Sequence, residues 1–176
     1  PFPATDENER LEEHLTRLVH VQSNYQCAGR VSTLDDRGLV YLRFGSPYKQ
    51  RVLSYEDGEF FREVYRFGVN VPAGSFPESE IWLYTRIDES GFYLFAEEDT
   101  SDCFRMARAN ELIPRYLTRQ RADTERGINI AYSALMAMRA IYQELALYHT
   151  VFSSRYAEIA NYVGRQETKA AVAEGA

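Results

Sequence analysis

Three histidines, His14, His20 and His149, are the first residues to consider as metal ligands or as general acid–base groups. A metal pair on a helix needs histidines three or four positions apart, so that both rings lie on one face. His14 and His20 are six positions apart, which places them on different faces of a helix. His149 lies among apolar residues at helical spacing, where a packing histidine is more common than a ligand. We therefore predict no metal site.

The candidate nucleophiles are Ser46 and Cys103. Ser46 precedes Pro47, so the second glycine of a nucleophile elbow is missing and a turn serine is the simpler interpretation. An activated thiol at Cys103 would need a cationic neighbour, and Arg105 is the one cation close to it in sequence. Cys103 and Cys27 form either one disulfide or two buried thiols, and the sequence leaves both open. We predict no catalytic residue and no cofactor.

Carboxylates are the remaining chemically active groups. Glu97, Glu98, Asp99 and Asp102 form an acidic run that lacks the glycine and the regular spacing of an EF-hand loop, which favours a solvated turn. Glycoside hydrolysis needs two carboxylates that the fold brings together. Such a pair would combine Glu80 with Glu97 or Asp99. This is the basis of an enzymatic alternative.

The overall charge restricts the classes of partner. With 20 Lys and Arg against 26 Asp and Glu, the formal net charge is −6. General nucleic-acid binding depends on neutralising phosphates with basic residues, so this balance argues against it. It also disfavours electrostatic docking to an anionic membrane. The chain has no run of about 18 apolar residues, so we predict no transmembrane helix.

Aromatic residues are the strongest remaining signal, since the chain has 13 tyrosines and 10 phenylalanines. Seven of them lie in a glycine- and proline-punctuated segment from 48 to 79, and four of these are Phe60, Phe61, Tyr65 and Phe67. Packing in the core is one interpretation of this segment. Tyrosine combined with arginine is also typical of protein–protein hot spots. We name these four as candidate partner-binding residues, with core packing and a sugar-stacking platform as alternatives.

Hydrophobic periodicity predicts the elements that would position these residues. Helical spacing predicts a helix over 6–20, and alternation predicts strands near 38–44, 80–87 and 92–97. A hairpin connects the last two strands. The fold class is therefore α+β, with a small, mostly antiparallel sheet packed with an N-terminal helix and a long C-terminal helical region.

The C-terminal helical region covers 126–163. From Ile128 onward, apolar residues recur at alternating spacings of three and four, with no Gly or Pro inside the pattern. A single helix of this length would exceed the diameter of the core, so we expect a break near 150–154, with Ser153 or Ser154 as the cap of a second helix. The apolar seam must be covered. We predict contacts with another protein subunit or a second copy of the chain through Tyr142, His149, Phe152 and Tyr156.

Two segments resemble the GWxTD domain, a bacterial family. The segment Asp36-Arg37-Gly38, with Val40-Tyr41 and Phe44-Gly45-Ser46-Pro47 after it, is similar to the first family motif, and Glu80-Ile81-Trp82-Leu83-Tyr84 is similar to a later one. The name-giving Gly-Trp is missing, because the chain has Ser-Thr-Leu-Asp-Asp at 32–36. The resemblance implies one GWxTD-like domain over 1–165, followed by a frayed tail at 166–176. It implies a structural motif made of Asp36, Arg37, Gly38, Gly45, Pro47 and Trp82.

The resemblance also bears on location and function. Members of the family often belong to envelope or secreted proteins, so it implies the bacterial periplasm or cell envelope, and it implies no activity. The apolar seam, the aromatic segment and the lack of a catalytic set favour a non-enzymatic protein–protein interaction or scaffold module of a cell-envelope assembly. The alternative is a hydrolase or ligand-binding domain that acts on envelope polysaccharide or peptide.

Overall fold

A computed structural model describes the backbone of most of the chain. The described residues are 9–27, 33–55, 62, 72, 74–84, 91–98, 103–115, 117 and 124–174, with the side chains of 124–131 and 166–174 excepted. They form two compact units. Unit one contains the described residues of Pro1–Arg51 and Glu80–Met106, and unit two contains those of Val52–Ser79 and Ala107–Ala176.

Unit one combines two helices with a four-stranded sheet, of which the end residues Val52 and Ser79 fall in unit two. The helices are α1 (Glu9–Asn24) and α2 (Asp36–Phe44), and the strands are β1 (Lys49–Val52), β2 (Ser79–Leu83), β3 (Phe92–Glu97) and β4 (Phe104–Met106). The strand order is β1-β2-β3-β4, and β3 pairs with β4 in antiparallel fashion. Every residue of β2 is buried, which makes it a central strand. The predicted α+β fold with an antiparallel sheet is confirmed.

The predicted strand near 38–44 is wrong, because this segment is helix α2. A short apolar run fits a strand or a buried helix equally well, and the residues at its ends decide between them. Asp35 is the N-cap and accepts the Gly38 N–H, and Gly45 is the C-cap at a φ of 79°. These are the signals of a helix start and stop. The predicted strands near 80–87 and 92–97 correspond to β2 and β3, although 85–87 lie outside the described residues.

The core of unit one lies between α2 and the sheet. Its buried residues are Val40, Trp82, Tyr84, Phe95 and Phe104. Cys27, which follows α1, and Cys103, which precedes β4, form a disulfide with their Cα atoms 4.9 Å apart. The structure thus decides between the two possibilities that the sequence left open.

Unit two contains a 3-10 helix (Ala109–Leu112) and the helices α3 (Thr124–Ala146) and α4 (Val151–Glu174). The break between α3 and α4 falls at 147–150, at the edge of the predicted window. The predicted caps Ser153 and Ser154 are wrong, because both lie inside α4. The Val151 N–H instead donates to Nδ1 of His149 at 3.3 Å, so an imidazole satisfies one of the unpaired donors of the first turn.

Because of this break, α4 packs back against α3. The buried apolar side chains of the two helices are Met136, Ala137, Ile141, Leu145, Phe152, Ile159 and Val163. Part of the C-terminal apolar seam is therefore covered by the chain itself. Helix α4 continues to Glu174, through most of the segment for which we predict a frayed tail.

Candidate functional site

A group of charged and polar side chains, mostly buried but with Gln50 exposed, connects α2 to the sheet. We name it the Arg37 cluster, and it consists of Asp35, Arg37, Gln50, Glu80 and Trp82. The N-terminal end of α2 supplies the first two, and strands β1 and β2 supply the other three. Residues far apart in sequence thus meet at one point of unit one.

The Arg37 guanidinium connects two carboxylates. Its Nε and Nη2 donate to Oδ2 of Asp35 at 2.9 and 2.6 Å, and its Nη1 donates to Oε1 of Glu80 at 2.8 Å. Asp35 is 3% exposed and Glu80 is 8% exposed. Buried charges are tolerated when they are paired and hydrogen-bonded, and the fork of donors on arginine suits two carboxylates at once. Arg37 is therefore the cation that balances both.

The second oxygen of Glu80 is engaged as well. Its Oε2 accepts the Trp82 Nε1–H at 2.8 Å and the Gln50 amide at 2.9 Å. Both oxygens of this buried carboxylate therefore accept hydrogen bonds, one of them from Gln50, which is exposed. A general acid or base must reach a substrate proton directly or through one water, whereas both oxygens of Glu80 are engaged by side chains of the cluster.

Aromatic rings enclose the Arg37 guanidinium. Its central carbon lies 3.6 Å from the ring centroid of Phe104 and 5.3 Å from that of Tyr25, both within the range of cation–π attraction. Burial raises the pKa of the Tyr25 hydroxyl, and the nearby charge of Glu80 raises it further. Tyr25 therefore stays neutral over a wider pH range than an exposed tyrosine.

Asp35 and Asp36 also cap the free edge of the sheet. Asp35 Oδ1 accepts the Gly38 N–H at 3.0 Å, and its Oδ2 accepts the Phe104 N–H at 3.4 Å. Asp36 Oδ2 accepts the Met106 N–H at 2.6 Å. The edge of a sheet presents unpaired N–H groups that can recruit another strand. On β4, the carboxylates of Asp35 and Asp36 accept these N–H groups and thereby attach α2 to the strand.

Two glycines permit close approach in this region. A Cβ on Gly38 would lie 3.2 Å from the Cβ atoms of Leu34 and Tyr25, so a side chain there would crowd both. Gly45 has a φ of 79°, which L-residues rarely adopt, and a Cβ on it would lie 3.1 Å from Nη2 of Arg17. The structure places both glycines where the backbone geometry requires them.

The remaining residues of the predicted structural motif lie beside the cluster. Trp82 is fully buried and forms part of the core. Pro47 is half-buried between α2 and β1. Together with Asp36, Arg37 and the two glycines, these residues hold α2 on the sheet. The Arg37 cluster thus connects α2 to β1 and β2, and Gln50 is its exposed member.

Helix α1 has a different character, because its outer face is apolar and exposed. Leu11 and Leu15 are each 51% exposed and Val19 is 65% exposed. They follow one another at a spacing of four, so they lie along one side of the helix. We call these three residues the outer face of α1. The inner side contacts α2, where His20 stacks on Tyr41 with ring centroids 4.3 Å apart.

The structure brings together three of the four predicted partner-binding residues of the C-terminal region. The ring centroid of Phe152 lies 6.1 Å from that of Tyr142 and 6.3 Å from that of His149, and Phe152 is buried. Tyr142, His149 and Tyr156 are half-buried. Their role as a partner site stays a prediction, and the structure places Phe152 inside the packing of its own unit.

The aromatic candidates Phe60, Phe61, Tyr65 and Phe67 lie outside the described residues, as does Asp99. Within the described part of the chain, no three His, Cys, Asp or Glu side chains are grouped as a metal site would require. No helix of that same part has the length and apolar character to cross a membrane.

The sequence interpretation missed two features of the site. Asp35 was overlooked, although a carboxylate three positions before Gly38 is a recognisable N-cap signal. The exposure of α1 was overlooked because leucines at helical spacing predict burial as readily as exposure. Only tertiary contacts reveal which side of a helix is covered.

Comparison with family models, with curated proteins and with solved structures found no match. The resemblance to GWxTD domains therefore depends on the sequence motifs alone. The structural features that bear on function are the Arg37 cluster and the outer face of α1.

Proposed function

We propose that the chain is a non-enzymatic protein–protein interaction or scaffold module of a bacterial cell-envelope assembly. The observation that carries this proposal is the outer face of α1. Single exposed apolar side chains are normal on a protein surface. Three of them in a row on one helix, Leu11, Leu15 and Val19, form the kind of patch that typically marks a partner site.

The Arg37 cluster supports the non-enzymatic part of the proposal. Its two carboxylates, Asp35 and Glu80, are buried and accept hydrogen bonds from α2, from β1 and β2 side chains and from the β4 backbone. Such a network fixes geometry and leaves no acid–base pair facing solvent. The alternative of a hydrolase that uses Glu80 therefore draws no support from this carboxylate.

The location in the envelope has two supports. Disulfides form and persist mainly in oxidising compartments, such as the bacterial periplasm. The Cys27–Cys103 disulfide is compatible with such a location. The motifs that resemble GWxTD domains agree with it, because members of that family often belong to envelope or secreted proteins.

Site-specific photo-crosslinking tests the proposal. A photoreactive phenylalanine analogue replaces Leu15 in the chain expressed in its native host, and a second variant carries it at Leu147, which is 71% exposed on the α3–α4 turn. We expect a discrete adduct with another protein from position 15 and none from position 147. The addition of Leu11→Glu to the first variant should abolish the adduct. The same adducts from both positions, or none from position 15, would refute the proposal.

A further inference from the structure

We infer that the outer face of α1 binds an amphipathic helix of a different protein, whose basic residues lie at the end that meets Glu9 and Glu12. This inference depends on the proposed function and specifies the partner. Among the side chains that the structure describes, those of the outer face of α1 combine an apolar row with exposed charges at one end. The shallow surface around Glu158 and Arg165 has no comparable row of apolar side chains.

The shape of the face favours a helix as its partner. Helix α1 has 16 residues and is about 24 Å long at roughly 1.5 Å per residue. Side chains at a spacing of four form a ridge, and ridges of this kind pack into the grooves of a second helix. An extended peptide would instead need the free backbone groups of a sheet edge. At the β4 edge, the Phe104 and Met106 amides already donate to Asp35 and Asp36, so a peptide that adds there would not find them free.

The charge around the face is negative at its N-terminal end. Glu9 and Glu12 are exposed in the first turn of α1, and the last turn has no basic residue. Arg10 is exposed in the same turn and offsets one of the two charges. Arg17 does not offset the other, because its guanidinium donates to the main-chain oxygen of Leu42 and pairs with Glu13, so this end keeps a negative balance. A partner with Lys or Arg at this end would therefore be attracted. In an antiparallel arrangement those residues fall in its last turn, where the helix dipole also favours them.

The same charge pattern disfavours a second copy of the chain. A parallel pair of α1 helices would place Glu9 and Glu12 of one copy against the same residues of the other. An antiparallel pair would place them against the neutral last turn, which contains Gln22, Ser23 and Asn24. Neither arrangement offers attraction, and the net charge of −6 adds repulsion between copies.

Two synthetic peptides serve as probes. Both are 18-residue helices with leucines at alternating spacings of three and four, and they differ in having three lysines or three glutamates in the last turn. Fluorescence anisotropy measures their binding to the oxidised full chain at low salt. We expect the lysine peptide to bind at least about tenfold more tightly than the glutamate peptide.

Variants of the chain separate the apolar contribution from the charge contribution. Leu15→Glu removes apolar contact but adds negative charge, so binding by charge alone would strengthen. We expect Leu15→Glu to lower the affinity for the lysine peptide by about tenfold or more. Leu147→Glu should change this affinity by less than about twofold. Glu12→Gln should weaken binding, and Glu158→Gln, which removes the same charge from α4, should not.

Each remaining outcome overturns the inference. Unchanged or tighter binding by Leu15→Glu places the peptide elsewhere on the chain. Equal affinity for the two peptides, or no binding of either, would show that the partner is not a helix with basic residues at this end. A dimer in light scattering that Leu15→Glu dissolves would make a second copy the occupant. If the crosslink at position 15 persists while the lysine peptide fails, the proposed function stands and only this description of the partner is wrong. If the crosslink fails as well, both are wrong.

Discussion

At the residue scale, Arg37 shows how one side chain can organise a unit. Its guanidinium pairs with Asp35 and Glu80, which are both buried, and its planar surface covers the Phe104 ring. The pairing of two buried carboxylates with one cation is stable only while that cation is present. Its removal leaves negative charges in a region of low polarity, with no other charged partner in the cluster.

The first prediction concerns this side chain. Arg37→Ala should lower the free energy of unfolding by about 3–5 kcal/mol, because it leaves Asp35 and Glu80 buried without their cation. Urea denaturation followed by tyrosine and tryptophan fluorescence measures the change. Trp82 is a convenient reporter, since its Nε1–H donates to Glu80.

Arg155→Ala is the matched control for this prediction. Arg155 pairs with Glu158 on the exposed surface of α4, and the side chains are 55% and 64% exposed. Exposed pairs contribute little because water solvates both partners. The control should unfold at the wild-type urea concentration. Equal midpoints for the two variants would contradict the role assigned to Arg37.

The sequence predicted part of this cluster and could not predict the rest. The motif segments already identified Arg37, Gly38 and Trp82 as structural residues. The pairing between Arg37 and Glu80 spans 43 positions, and the bond from Phe104 to Asp35 spans 69. Such contacts are set by the packing of α2 on the sheet. The local sequence pattern does not show which carboxylate, distant in sequence, lies next to a given arginine in the fold.

At the element scale, α2 and the α3–α4 pair show which local signals decide structure. The alternation of Val40, Leu42 and Phe44 predicts a strand, but a cap at each end makes the segment a helix. The break between α3 and α4 follows from a mismatch between the length of the seam and the size of the core. Asp35 and Gly45 are the signals that identify α2 as a helix. The break between α3 and α4 was predicted from the length of the seam alone.

The second prediction tests the packing between α3 and α4. Leu145 is fully buried, and Leu147, two positions later, is 71% exposed. Leu145→Ala should lower the free energy of unfolding by about 2–5 kcal/mol, because it removes buried methyl groups and leaves a cavity. Leu147→Ala, the same chemical change in an exposed turn, should have almost no effect. Urea denaturation of both variants gives the comparison, and similar losses would show that the two leucines are not packed as described.

At the scale of the whole molecule, the α+β class was predictable because alternation and helical spacing occupy different parts of the chain. The disulfide was not predictable, because the sequence does not show whether two cysteines 76 positions apart lie close together in the fold. Its location now links the end of α1 to β4, beside the Arg37 cluster. The stability of unit one should therefore depend on the redox state.

The third prediction follows from this link. Reduction of the Cys27–Cys103 bond should lower the free energy of unfolding by about 2–4 kcal/mol, since the bond closes a long loop and restricts the unfolded chain. Urea denaturation with and without a phosphine reductant measures the effect. The double variant Cys27→Ala and Cys103→Ala should have the urea midpoint of the reduced protein, and the reductant should not change that midpoint. A wild-type midpoint that the reductant leaves in place would contradict the prediction.

The fourth prediction concerns alkaline pH. Burial raises the pKa of the Tyr55 hydroxyl well above its ordinary value of 10.0, against a smaller opposite effect of its hydrogen bond with Ser79. Below pH 10 the hydroxyl is neutral in both states, so this tyrosine adds no pH dependence. Above it the unfolded chain ionises first, and stability falls as pH rises.

Tyr55→Phe should therefore flatten the loss of stability between about pH 9 and about pH 11. Tyr48→Phe makes the same chemical change at an exposed position and is the control for the substitution itself. Thermal or urea denaturation across this range measures both slopes. Identical slopes for wild type and Tyr55→Phe would show that Tyr55 is not the buried group described.

Carbene footprinting of the chain, purified alone and in the envelope fraction where we propose that it resides, tests most directly whether α1 is a docking surface. The account predicts strong labelling of Leu15 and Val19 in the purified chain and clear protection in the envelope fraction, while Leu147 is labelled in both. Protection of Leu15 in the purified chain, or equal labelling of Leu15 in the two samples, would contradict it.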